Sequence, residues 1–136
     1  MHRIIVTILT TLLCLLPFRM AVAGFDGTAP LICAVVEAFE CNLEQDCNEG
    51  TLEQMNIPQF IWIDVANNTI STPEGVGEKR ESTIKSFELD NGMLILQGVQ
   101  NGRGWNIAIT EDTGKMTATA SSGVGGFVIF GACTLD

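Results

Sequence analysis

From residue 59 onward, apolar and polar side chains alternate along the chain, the period of strands with one buried face. Gln59 to Val65 sets Ile61, Ile63 and Val65 on one face and Phe60, Trp62 and Asp64 on the other. Asn67 and Asn68 supply a turn, Thr69 to Ser71 a short strand, and Thr72 to Lys79, with Pro73, Gly75 and Gly77, a loop. Ser82 to Leu89 and Met93 to Val99 flank Asp90-Asn91-Gly92, a strong hairpin signal because asparagine and glycine tolerate positive φ. A second hairpin crosses Gln100-Asn101-Gly102-Arg103 into Gly104 to Thr110, and a third crosses Glu111 to Gly114 into Lys115 to Ser121. The last strand, Phe127 to Ala132, is apolar on both faces and is expected to be central or covered.

The stretch before residue 59 reads differently. Thr28, Ala29 and Pro30 form a helix-start signal, and at about 100° per residue Leu31, Ile32, Ala34, Val35, Val36, Ala38 and Phe39 fill a broad apolar arc. This predicts a helix over Pro30 to Glu40, with Glu37, Glu40 and Cys33 on its narrow polar side. Asn42 to Gly50 follows as an acidic loop, and Thr51 to Met55 as one further helical turn. The expected fold is mainly β (α+β): an N-terminal helix packed on a small antiparallel up-and-down β-barrel, or a strongly curved sheet, of about seven strands.

The first 23 residues change where this domain is expected to work. Met1 to Arg3 carry positive charge, Ile4 to Phe18 are largely apolar, and Ala21-Val22-Ala23 offers small residues to a peptidase, the three-part layout of a secretory signal. The apolar run is shorter than a bilayer span, so cleavage after Ala23 is expected rather than stable membrane insertion. Cys14 follows Leu13 rather than a small residue, against lipidation. The division is a signal peptide over 1–23 and a single domain over 24–136, large enough for one modest core, in the periplasm or secreted. Two of the seven basic residues, Arg3 and Arg19, lie in the leader with no acid, so five bases face 16 acids in the rest, a net charge of −11. Such a surface disfavours phosphate backbones and anionic lipids, and nucleic acid is not an expected partner.

Four cysteines remain after the leader, Cys33, Cys41, Cys47 and Cys133, an even number suited to an oxidising compartment. A helix between Cys33 and Cys41 would separate their Cα atoms by roughly 12 Å, too far for a bridge. The preferred pairing is Cys41 with Cys47 as a local clasp and Cys33 with Cys133 as a long tie. Closing a loop of about 100 residues contributes roughly 4 to 5 kcal/mol in the chain-entropy model. Cys33 with Cys47 and Cys41 with Cys133 is the alternative, and the polar-side placement of Cys33 on the expected helix sits poorly with the long tie.

Candidate chemistry is sparse. The single histidine is His2, in the leader, and the chain has no tyrosine, so histidine-based triads and metal sites are not expected in the mature chain. No cofactor or metal is expected, since the cysteines lack paired C-x-x-C knuckles. Asp112-Thr113-Gly114 matches the tripeptide of aspartic proteases but sits at a hairpin tip between Glu111 and Lys115. Asn42, Glu44, Asp46, Asn48, Gly50 and Glu53 alternate like calcium ligands, with Cys47 where an EF-hand needs glycine. Asn67-Asn68-Thr69 fits a glycosylation acceptor.

Two places stand out as candidate partner-binding surfaces: Phe60 with Trp62, and Gln100, Asn101 and Arg103 beside Trp105. The leading reading is a non-enzymatic exported domain that binds a protein or a small ligand. The alternatives are a carboxylate-dependent hydrolase, which needs two acids converging in one cleft, and a lipocalin-like carrier, for which seven short strands enclose little volume.

Leu96 to Trp105, Thr113 to Thr117 and Gly126 to Thr134 together look like a group of small exported proteobacterial proteins of unassigned function, over the domain from about Cys33 onward. The resemblance implies the bacterial envelope as location and supplies no activity or catalytic residue.

Overall fold

The computed structural model describes residues 24–136; the expected leader, residues 1–23, lies outside the described residues. Nine strands run through it: β1 (Leu31–Asn42), β2 (Gln45–Glu49), β3 (Phe60–Asp64), β4 (Thr69–Ser71), β5 (Glu81–Asp90), β6 (Met93–Gln100), β7 (Arg103–Thr110), β8 (Lys115–Ser121) and β9 (Gly125–Leu135). Successive strands from β3 to β9 pair antiparallel, and β1 closes the ring by pairing β9 on one side and β3 on the other. Eight strands therefore form a closed barrel. The remaining one, β2, hangs on the second half of β1 as a short hairpin.

The helix expected over Pro30 to Glu40 is strand β1, and no helix occurs among the described residues. The segment is apolar in both periods because its inner face, Leu31, Cys33 and Val35, is buried while Ile32 and Ala34 on the outer face are half-covered. A bulge at Val36 then shifts the alternation: Val35 pairs Gly131, Glu37 pairs Phe130, and Ala38 is the next inward residue. That break of register produced helix-like spacing at the scale of a turn. The β-branched residues Ile32, Val35 and Val36 favour the extended form. The expected acidic loop over Asn42 to Gly50 is likewise mostly strand, the β1–β2 hairpin. Thr51 to Met55 does make a single turn, in which the Met55 amide donates to the Thr51 carbonyl at 3.1 Å.

Both Asn-Gly turns hold as two-residue hairpins. Asn91 and Gly92 have φ of 48° and 77°, and Asn101 and Gly102 have 50° and 75°, so both central residues are left-handed as a type I′ turn requires. A second bulge at Lys85 bends β5, and bulges of this kind add the twist that lets a small sheet close.

Inside, Leu94 and Leu96 of β6, Ile107 and Ile109 of β7, Met116 and Ala118 of β8, and Ile129 of β9 meet Leu31, Ile63 and Ile84 in one core, and no charged or polar side chain is buried among the described residues. Cys33 and Cys133 are register partners across β1 and β9 and form a disulfide within this core. Cys41 and Cys47 form the second, across the β1–β2 hairpin. The preferred pairing holds because β1 is a strand whose register sets Cys33 opposite Cys133; eight residues of strand span roughly 26 Å, which keeps Cys33 and Cys41 apart as well. Disulfides of this kind belong to an oxidising compartment.

One end of the barrel is covered by the segment before β1. The Phe25 amide donates to the Glu111 carbonyl at 3.1 Å, and the Phe25 ring packs beneath Gly114.

Candidate functional site

The opposite end is open. Inward-facing residues of consecutive strands line it: Ile61 of β3, Ile70 of β4, Ser82 of β5, Trp105 of β7, Ala120 of β8, and Phe127 with Ile129 of β9. Together they wall a cavity of about 250 Å³, which Met55 to Pro58 border on one side.

Trp105 organises this mouth. Its register partner on β6 is Gly98, where a Cβ would overlap the indole, so glycine lets the ring cross the neighbouring strand. The indole N–H then reaches β5 and donates to the Ser82 hydroxyl at 3.0 Å. Gln100 spans the same two strands at the rim, its Nε2 donating to the Glu81 carbonyl at 2.7 Å.

Two arginines complete the rim. Arg80 Nη1 donates to the Asn56 carbonyl at 2.6 Å, and Nη2 bonds the Asn56 side chain and lies 3.4 Å from Glu78 Oε2. Asn56 adopts a positive φ of 55°, which turns its carbonyl and side chain toward the same guanidinium. Arg103 is placed otherwise: its Cζ lies 5.6 Å from the centroid of the Phe127 ring, a cation–π contact that leaves the N–H donors free. Beyond Arg103 and Phe127 a second cleft of about 480 Å³ opens between the β1–β2 hairpin and the Ser122 to Gly125 connection, with Glu40 and Glu44 on its wall.

Of the residues singled out in the sequence, Gln100, Arg103 and Trp105 converge on the mouth. Asn101 occupies the exposed turn beside it. Phe60 and Trp62 lie elsewhere: Ile61 and Ile63 take the inward positions of β3, so Phe60 and Trp62 face outward, Trp62 between Ile32 and Ser71. Arg80, Ser82, Ile70 and Phe127 are mouth residues that alternation alone did not mark. Strand closure brings them in.

Carboxylates contribute little here. Glu40 and Glu44 share the outer cleft but are both exposed, without the burial a general acid requires. Asp112 sits in the β7–β8 turn, exposed. Asp26 and Asp64 are held below the ordinary carboxylate range, by the Thr28 hydroxyl and the Asn67 side-chain amide respectively, each with help from the same residue's backbone N–H. Both stand outside the mouth lining. The calcium-like acids belong to the β1–β2 hairpin and the turn after it, and among the described residues no three of His, Cys, Asp and Glu cluster as metal ligands. No protein-family model matches this chain, and neither a curated protein nor a solved structure matches it.

Proposed function

We propose that this chain is an exported, non-enzymatic binding domain that receives a small ligand in the open mouth of its barrel. The observation that carries the reading is the mouth itself: a concave, mostly apolar cavity with a few oriented polar groups, at one of the places where binding sites recur in barrels. The leader-like first 23 residues and the two disulfides support a periplasmic or secreted location.

The eight-strand closure favours a shallow cup over a deep carrier cavity. Below Trp105 the interior is filled by Leu94, Leu96, Ile107 and Ile109, as small barrels commonly are. A carboxylate-dependent hydrolase draws no support from Glu40 and Glu44, which remain solvated. Titration of the 15N-labelled domain with a small-molecule panel tests the reading. Amide shifts should concentrate at Ile57, Ile61, Ile70, Ser82, Trp105 and Phe127; shifts confined to other surfaces, or none with any compound, would overturn it.

A further inference from the structure

Resting on that reading of the mouth, we propose that the ligand is a small amphipathic monoanion, a carboxylate carried on a short apolar or aromatic body, with Arg103 as its counter-charge.

The distribution of positive charge is the first reason. Residues 24–136 hold five cations against 16 acids, and both arginines among them line this one cavity. Glu81, the single acid bordering the cavity, alternates with inward-facing Ser82 and so directs its side chain to the outer face. Inside the rim, local charge therefore runs against that of the surface as a whole.

The state of each donor is the second. The Trp105 indole N–H is committed to Ser82, the Gln100 amide to Glu81, and the Arg80 guanidinium to Asn56 and Glu78. Arg103 makes no side-chain hydrogen bond or ion pair among the described residues, although Glu40 and Glu44 line the adjoining cleft. Stacking on Phe127 restrains its guanidinium without using the N–H fork, which matches a carboxylate in two parallel hydrogen bonds.

Shape supplies the third. Ile61, Ile70, Ala120, Phe127 and Ile129 offer an apolar floor, and about 250 Å³ falls below the range of roughly 300 to 1,000 Å³ typical of drug-sized ligands. A head at Arg103 and a short tail over Phe127 and Ile129 fit that space.

A Trp62→Phe variant leaves Trp105 as the lone tryptophan and so as a reporter inside the mouth. Its emission is followed during titration with 3-phenylpropionate and octanoate, and with the matching neutral alcohols, 3-phenylpropanol and octanol. The carboxylates should bind about ten-fold tighter than the alcohols, and Arg103→Gln in the same background should bring each pair within about two-fold. Arg103→Lys, which keeps charge without the fork, should retain part of the preference. Equal affinity of acid and alcohol would overturn the anion while leaving the mouth as an apolar site. An acid preference that survives Arg103→Gln would overturn the role of Arg103, and silence from all four compounds would sink both this inference and the reading beneath it.

Discussion

Trp105 and Gly98 face one another across β7 and β6 so closely that the indole occupies the space a side chain at 98 would need. The contact fixes the ring over β6 and lets its N–H reach Ser82 on β5, so one pair couples three strands at the mouth. Gly98→Ala should therefore displace the indole, lowering stability by about 1 to 3 kcal/mol, the range for overpacking, and altering the near-ultraviolet dichroism of tryptophan. Gly104→Ala is the control, because nothing lies within 4 Å of a Cβ there. Urea unfolding of the two variants should separate them clearly; equal costs would show that the ring yields without penalty.

The two disulfides should contribute unequally. Cys33 and Cys133 are 100 residues apart in sequence and buried, whereas Cys41 and Cys47 are six apart on a hairpin. Chain entropy alone assigns roughly 4 to 5 kcal/mol to the first and about 2 kcal/mol to the second. Paired replacement by alanine, followed by urea unfolding, should reproduce that order, with the loss of the buried bridge enlarged by the cavity it leaves. A larger loss for Cys41 and Cys47 would show that β2 organises the barrel rather than decorating it.

How far the sequence reveals this molecule depends on the segment. The Asn91-Gly92 and Asn101-Gly102 turns demand backbone conformations that few residues adopt, so their hairpins are legible from two letters each. Leu31 to Phe39 is not legible in the same way. Its outer face is partly covered and its alternation is broken at Val36, so a short apolar run matches helix and strand alike. A helix there leaves the barrel open, because only a strand at that place joins β9 to β3. The mouth was visible in part for the same reason. Gln100, Arg103 and Trp105 flank a recognisable turn, whereas Arg80, Ile70 and Phe127 join them only once the ring closes. Cys33, placed by the helical wheel on a polar side, points inward as a strand residue and meets Cys133.

The segment bordering the mouth should depend on Arg80. Its guanidinium grips both the carbonyl and the side chain of Asn56, the last residue of the turn that begins at Leu52, whose carbonyl accepts the Ile57 amide at 2.8 Å. Lysine keeps the charge but offers no planar fork. Arg80→Lys should raise amide exchange at Met55 and Ile57 by roughly three- to ten-fold, with β6 and β7 unchanged; the partial exposure of Arg80 keeps the effect modest. Exchange measured by NMR decides it. Unaltered protection at Ile57 would mean that Leu52 and Met55, packed against the core, hold the segment without the arginine.

Asp64 gives the fold a defined response to acid. It ends β3, where Oδ1 accepts the Asn67 backbone N–H at 3.0 Å and Oδ2 the Asn67 side-chain amide at 2.7 Å, and these bonds hold its carboxyl below the ordinary 3.8. A carboxyl with a lower pKa when folded favours the fold in its ionised form. That contribution is complete well above pH 3.8 and is lost as pH falls through the folded value. Asp64→Asn should therefore be less stable than the natural chain at pH 6, and the gap should narrow steadily on acidification below about pH 4. Thermal unfolding of both proteins from pH 6 down to pH 2.5 measures the gap directly. A difference that stays constant over that range would assign the effect of Asp64 to geometry in the turn rather than to its charge, since only an ionising group carries its contribution away with the proton.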